Sequence, residues 1–245
     1  MTSRDPAAYG QTHASVYDEL YGARFDAAPA VVALTAAAAG GTVLELGVGT
    51  GRLAIPLARA GVAVDGIEAS DAMIAQLQAQ PGADLVGVLR TDLADFDLPR
   101  HDYQVAVCAV STIFMLSHDA QQSCISAVAR HLHPGGRLFI EAFVPDPSRF
   151  DNEGRRVEHR TPAAGGAHTV TSRHDPSGRR IHIVHTLTDL HGDSSDYPVT
   201  LHYATPVELD AMATVAGLSP AGRWRDWTGA PADAHSHDPI SIYVR

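Results

Sequence analysis

The stretch Val43-Leu44-Glu45-Leu46-Gly47-Val48-Gly49-Thr50-Gly51 restricts what this chain can fold into more than any other. An apolar run too short for a helix meets glycines at alternate positions, and Arg52 to Gly61 then carries apolar residues at helical spacing. That order reads as strand, tight turn, helix. Glycine permits positive φ and lets backbone N–H groups approach a ligand, and the following helix N-terminus favours anionic groups. The expectation is a nucleotide-type binding loop at the end of a first strand.

The spacing narrows the ligand. The dinucleotide fingerprint is G-x-G-x-x-G, whereas this loop is G-x-G-x-G with an acid, Glu45, two residues before its first glycine. In this it resembles the first motif, E/D-x-G-x-G-x-G, of class I S-adenosylmethionine-dependent methyltransferases. The resemblance implies a Rossmann-like fold, S-adenosyl-L-methionine as cofactor, and Gly47, Gly49 and Gly51 beside it. Glu45 would hold loop amides or, through water, the cofactor's ammonium.

Later acids fall in register with that reading. Val62 to Ile67 is strand-like and ends in Glu68, with Ser70 or Asp71 as the cap of a helix through Met73, Ile74 and Leu77. An acid about 20 residues past the glycine loop, at a strand's carboxyl end, can accept both ribose hydroxyls. Ala69 and Met73 lie next to it along the cofactor. A third strand, Asp84 to Arg90, precedes Thr91-Asp92-Leu93. The resemblance implies that Asp92 accepts from the adenine amino group and that the Leu93 backbone meets a ring nitrogen; Asp95 and Asp97 are rivals.

Composition excludes other chemistries. The 245 residues carry a formal charge of −10, against a protein that grips a nucleic-acid backbone electrostatically. All 18 basic residues are arginine, so lysine Schiff-base and P-loop chemistry are excluded. Cys108 and Cys124 lack metal or redox spacing. No signal pattern opens the chain, and no apolar run nears the roughly 18 residues needed to span a membrane. A cytoplasmic protein without nucleic-acid or membrane partners is expected.

Residues 1–11 are polar and expected to be mobile. From His13, the residues Val16, Tyr17, Leu20 and Tyr21 form a helical stripe, and a second helix runs from Pro29 to the alanines before Gly40. The words from His13 to Tyr21 are similar to the N-terminal segment of small-molecule methyltransferases, including aminosugar N-methyltransferases. That resemblance implies that Tyr17 and Tyr21 border cofactor and acceptor. Arg24 and Arg52 are candidates for the cofactor's carboxylate.

The fourth strand, Tyr103 to Val110, is almost wholly apolar, as a central parallel strand should be. Val110 is a candidate on the cofactor side, and Phe114 and Met115 are candidate pocket walls or ordinary core. Helix 119–132 and strand 137–143 follow, joined by a Pro134-Gly135-Gly136 turn. Between Pro145 and Tyr203, stretches of period two read as three or four antiparallel strands, and helix 206–216 and strands near 218–224 and 240–244 resume the winding.

The expected fold is therefore α/β: a Rossmann-like, doubly wound, mostly parallel sheet (41–145 and 204–245), an N-terminal helical cap (1–40) and an antiparallel β insertion (146–203). The insertion is expected to roof the acceptor pocket or to serve a homodimer. Tyr17, Tyr21 and Phe143 would enclose the sulfonium and acceptor, because a cation suits π faces. His118, directly after the fourth strand, is the candidate base, with His185 and His202 facing the acceptor from the roof. The pairs His182/His185 and His235/His237 lack a metal constellation, so no metal is expected. The partner would be a small-molecule methyl acceptor. A nicotinamide-dependent oxidoreductase, a macromolecular methyltransferase and a noncatalytic cofactor-binding protein remain as alternatives.

Overall fold

The computed structural model describes residues 5–21, 26–162 and 165–245. Three helices, α1 (Ala8–His13), α2 (Tyr17–Tyr21) and α3 (Ala28–Ala38), precede β1 (Val43–Leu46). The winding then gives α4 (Ala54–Arg59), β2 (Val64–Glu68), α5 (Asp71–Gln78), β3 (Val86–Arg90), β4 (Tyr103–Cys108), α6 (His118–His131) and β5 (Leu132–Glu141). Four further strands follow: β6 (Arg155–Arg160), β7 (Ala167–Asp175), β8 (Arg180–Thr188) and β9 (Ser194–His202). The chain closes with α7 (Pro206–Val215), β10 (Ser219–Trp224) and β11 (Ile240–Val244).

The main sheet has the order β10-β11-β5-β4-β1-β2-β3, with β1 to β5 parallel and β11 antiparallel to both its neighbours, β5 and β10. All four residues of β1 are buried, which is why its sequence shows no alternation. The order reverses between β1 and β4, where an open parallel sheet leaves a crevice at its carboxyl ends. The second sheet is an antiparallel meander, β6-β7-β8-β9. Its β9 lies against the turn Thr112–Met115 that leaves β4, so this sheet stands over the crevice. The α/β architecture and the antiparallel insertion agree with the sequence reading.

The N-terminal segment differs from it. Residues 1–11 were expected to be mobile, yet α1 begins at Ala8 and docks on α5. Gly10 makes this possible: a Cβ there would stand 2.3 Å from that of Ser70. The helix expected from His13 to Tyr21 is two helices, because α1 ends at His13. Unlike these, α3 packs with α4 and β4, and its Ala30 and Leu34 are in the apolar core under β1. The described helices of the stretch 1–40 thus divide, α1 and α2 toward the crevice and α3 into the core; residues 1–4 and 22–25 lie outside the described residues. Strand β5 also starts earlier than the expected 137, absorbing the Pro-Gly-Gly turn as an irregularity in its pairing with β4.

Candidate active site

The loop after β1 is tied to β2 by the Gly47 and Val48 N–H groups, which donate to the Ile67 carbonyl at 2.9 and 3.0 Å. Gly49 has φ of 54°, and the nearest atom to a Cβ placed on it would be 3.9 Å away. Its open side faces a cavity of about 320 Å³ whose lining includes Gly47, Gly49, Glu68, Ala69, Met73, Asp92 and Leu93. The sequence candidates from three successive strand ends therefore meet in one space. Gly51 does not line it; a Cβ there would strike Ile55 at 2.8 Å, so this glycine lets the loop close on helix α4.

Glu68 is held by three backbone amides. Its Oε1 accepts from Ala69 and Ser70, both at 3.0 Å, and its Oε2 accepts from Gly49 at 3.2 Å. Burial raises its pKa and these bonds partly offset the rise. Asp92 accepts from the Ala94 N–H at 2.9 Å. Glu45 is buried beneath the loop with no hydrogen-bond partner for Oε2, and desolvation pushes its carboxyl up to about 8 despite the nearby Arg52.

A second cavity, of about 430 Å³, opens beneath the four-stranded sheet. The two share Tyr9, Tyr17, Thr112, Met115 and Val199. Tyr21, Arg52, Val110, Phe143 and His185 line the second cavity alone. Val110, expected beside the cofactor, is thus on the other side of the divide: with φ of 52° it turns out of β4 and donates to Glu141 Oε2 at 2.8 Å. Arg52 lies over the Tyr17 ring, 5.2 Å from its centroid, and donates to the Tyr21 carbonyl at 3.1 Å. Burial raises the Tyr17 phenol, with Arg52 opposing. Arg24 lies outside the described residues.

Three candidates lie outside both cavities, and for Phe114 the structure takes the second of its two readings, ordinary core. Phe114 is fully buried and meets Phe143 edge-on at 5.1 Å, supporting a wall from behind rather than forming it. His202 lines neither cavity; it ends β9 beyond the cavity-lining Val199, Thr200 and Leu201, and its ring meets that of His118 edge-on at 6.2 Å. His118 lines neither; its Nε2 hydrogen-bonds to the Tyr203 carbonyl oxygen at 3.0 Å, pinning the start of α6 to the end of β9. His118→Ala should leave kcat within about threefold while lowering Tm by about 3 °C, the loss of one hydrogen bond in a chain of this size. Differential scanning fluorimetry and steady-state rates check this, and a hundredfold loss of kcat would restore His118 as the base.

The sequence reading missed Tyr9, Glu141 and the charged row of β6. Tyr9 was legible: Tyr9, His13, Tyr17 and Tyr21 recur every four residues. Burial and the Tyr21 and Tyr17 phenols push the Tyr9 phenol well up, and Tyr9 is hydrogen-bonded to Tyr21. Glu141 ends β5 as Glu68 ends β2, and Trp227 also donates to it at 3.0 Å. Arg156, Glu158 and Arg160 alternate along β6 toward the cavity, with Glu158 paired to both arginines at 2.8 and 3.1 Å. Among the described residues, Asp97, His101 and His131 come close enough for a cation. Both His131 nitrogens already meet backbone groups, the Ala127 carbonyl at 2.7 Å and the Leu98 N–H at 2.8 Å.

Comparison with known proteins agrees with this layout. A family model described as a methyltransferase domain matches residues 43–136. The CcbJ methyltransferase from Streptomyces caelestis superposes with a TM-score of 0.89 at 35% identity, over 98% of each chain. The chain belongs to the S-adenosylmethionine-dependent methyltransferases. A cypemycin N-terminal methyltransferase from a Streptomyces species is 28% identical over 98% of this methyltransferase and 99% of its own length. CalS10 from Micromonospora echinaspora, an amino pentose methyltransferase of calicheamicin biosynthesis solved with S-adenosylmethionine, shares the fold at a TM-score of 0.73. It is 23% identical, covering 94% of this chain and 96% of its own. The nicotinamide alternative falls with this assignment.

The residues present fit S-adenosylmethionine, the methyltransferase's cofactor. The open face of Gly49 leaves space for the ligand that a side chain would fill. The unpartnered Glu45 oxygen suits the neighbourhood of a cation, and Glu68 and Asp92 offer acceptors along the same wall.

Proposed function

We propose that this methyltransferase methylates an amine nitrogen of a small natural-product acceptor held beneath the four-stranded sheet. The observation that carries this is the roofed cavity, which meets the crevice across Tyr9, Tyr17, Thr112 and Met115. Its volume, about 430 Å³, suits a small molecule. Its roof is largely apolar, with Val170, Ile181, Ile183 and Leu201 on the inner face of the sheet, and its lining also carries Arg149, Arg156, Glu158 and Arg160. Nitrogen is favoured by the relatives, one named for N-terminal methylation and one for an amino pentose. Buried reduced Cys108 and Cys124 suit a cytoplasmic setting.

Bound S-adenosylmethionine supplies an electrophilic methyl group on a sulfonium. Glu68 accepts ribose hydroxyls with the lone pairs its amide bonds leave free, and Asp92 with Leu93 receives adenine. Gly49 would leave room for the amino-acid portion, while Gly47 lets Thr112 pack against the loop. Tyr17, which lines both cavities and whose ring is held by Arg52, would present a π face to the sulfonium. Met115 and Phe143 hold the acceptor nitrogen in line, and alignment of this kind supplies much of the rate in a displacement.

Calorimetry with S-adenosylhomocysteine, followed by labelled methyl transfer to amines including an amino sugar and a short peptide, tests the reading. Saturable binding and label on a small amine support it. Failure to bind, or label found only on hydroxyl compounds or on polymer, would sink it.

Glu45 makes a separate prediction. Its carboxyl is raised from 4.5 to about 8 by burial, so it is protonated at pH 7 in the free protein. Because the folded value exceeds the unfolded one, its contribution to stability is full below pH 4.5 and is lost as pH rises through 8. A cofactor ammonium nearby favours the carboxylate. Binding should therefore release about one proton at pH 7 and almost none above pH 9, read from calorimetric enthalpies in buffers of different ionisation heat. Glu45→Gln should abolish the release; a wild-type value of zero at pH 7 would refute the assignment.

A further inference from the structure

The roof of the acceptor cavity holds a hydrogen-bonded chain that neither cofactor binding nor acceptor alignment uses. Tyr21 Oη lies 2.9 Å from His185 Nε2, and His185 Nδ1 lies 3.0 Å from His168 Nε2. Both histidines are buried, at 3% and 4% exposure, a setting in which ionisable rings are seldom placed without a task or a partner. The register explains the contact. Val170 of β7 stands opposite His185 of β8, so His168, two residues away, is the diagonal neighbour on the same inner face. Tyr21 reaches the pair from α2 and meets the His185 ring edge-on at 5.4 Å.

Counting protons gives this chain a direction. A hydrogen bond between two neutral imidazoles holds one proton, so one ring donates and the other presents a bare nitrogen. A phenol keeps its proton at neutral pH, with an ordinary pKa of about 10. If Tyr21 donates to His185 Nε2, that nitrogen is bare and His185 carries its proton on Nδ1, which points at His168 Nε2. Every partner is then satisfied, and the wire runs from the cavity surface into the roof.

We propose that Tyr21, His185 and His168 form a proton relay that receives the proton lost by the acceptor nitrogen. The inference rests on the amine-methylation reading above. The nitrogen lone pair forms the N–C bond, the S–C bond breaks with its electron pair on sulfur, and the methylated nitrogen is left with one proton too many. That proton passes to Tyr21 Oη as the phenol's own goes to His185 Nε2. The His185 Nδ1 proton moves to His168 Nε2. The methylated amine, the phenol and His185 all end neutral, and the single positive charge rests on His168.

The surrounding charges bear on this charge transfer. Glu158 is in one cross-strand row with Val170, His185 and Tyr197, and its carboxylate favours an imidazolium on that face. Arg160, opposite His168, and Arg156 oppose it, and both are paired to Glu158. On the helical side Arg52 holds the Tyr21 backbone, Tyr9 is hydrogen-bonded to the Tyr21 phenol, and Tyr17 packs on it at 5.0 Å. His13 approaches Tyr197 at 5.8 Å. The relay accepts a proton only while both imidazoles are neutral. The rate should fall with unit slope as pH drops below the pair's apparent pKa, which belongs to both rings jointly.

The test uses the full-length protein with S-adenosylhomocysteine and 15N-histidine, His185 being assigned by its loss in His185→Gln. Long-range 15N–1H correlations should find neutral His185 protonated on Nδ1 and bare on Nε2, and Tyr21→Phe should shift that preference toward Nε2. With an amine that is turned over, Tyr21→Phe and His185→Gln should each lower kcat about 100-fold and erase the acid limb, with KM within a few-fold. Neutral His185 protonated on Nε2 in the wild-type complex would overturn the relay. So would a Tyr21→Phe variant that keeps the His185 tautomer and the acid limb. Binding of S-adenosylhomocysteine is measured in the same samples, and its absence in the wild type would count against the functional reading rather than the relay.

Discussion

Glu68→Ala should weaken S-adenosylhomocysteine binding by about 100-fold, about 2.7 kcal/mol, the size of one to two charge-assisted hydrogen bonds. The residue ends β2 at the mouth of the crevice and lines only the cofactor cavity. Its carboxylate has two tasks: it accepts from Gly49, Ala69 and Ser70, and it offers its remaining lone pairs to the ligand. Loss of loop order and loss of ribose contact must therefore be separated. Glu68→Gln keeps one acceptor oxygen and should cost only about tenfold. A 2′,3′-dideoxy analogue of S-adenosylhomocysteine should bind the wild type weakly, yet bind Glu68→Ala no worse than the hydroxylated ligand does. Independent, additive losses in that cycle would mean that Glu68 serves the loop alone. Because burial raises the Glu68 carboxyl, affinity should also decline in acid sooner than an exposed glutamate would require.

The cofactor side was legible in the sequence because its determinants are local. A glycine loop, an acid at the end of β2 and an acid after β3 each sit where a strand stops, and parallel strands bring their carboxyl ends together without further instruction. The acceptor side depends on facts that no short window carries. His118 and His185 look alike as histidines beside apolar stretches. His118 opens α6 and meets the Tyr203 carbonyl, whereas the β7–β8 register turns His185 inward to the Tyr21 phenol. Phe114 and Met115 are adjacent, yet the tight turn after β4 sends one into the core and the other to the junction of the cavities. Residues 5–11, the described part of the segment 1–11, were misjudged for another reason. Their few apolar groups suggested mobility, but a glycine that allows α1 to touch α5 matters more there than hydrophobicity. That contact brings Tyr9 to both cavities.

Ile183→Trp should separate the two cavities by function, leaving S-adenosylhomocysteine affinity within about threefold while lowering kcat/KM for the amine at least 100-fold. Ile183 lies midway along β8 in the row Arg156, Ser172, Ile183 and Val199, and it lines the roofed cavity but not the crevice. An indole added there occupies the acceptor's place without touching Glu68, Asp92 or the glycine loop. A misplacement of about 1 Å is enough to lose two orders of magnitude in a reaction that depends on alignment. Ile183→Ala makes the opposite change, and should shift the preference toward bulkier amines at a stability cost of about 1 kcal/mol, because the side chain is only partly buried and already borders a cavity. Turnover unchanged in Ile183→Trp, with a normal thermal transition, would place the acceptor outside the cavity, and the relay through Tyr21 would lose its proton donor. Reduced turnover together with weakened S-adenosylhomocysteine binding would mean instead that the roof and the crevice close as one unit, through Val199 and the tyrosines that both cavities share.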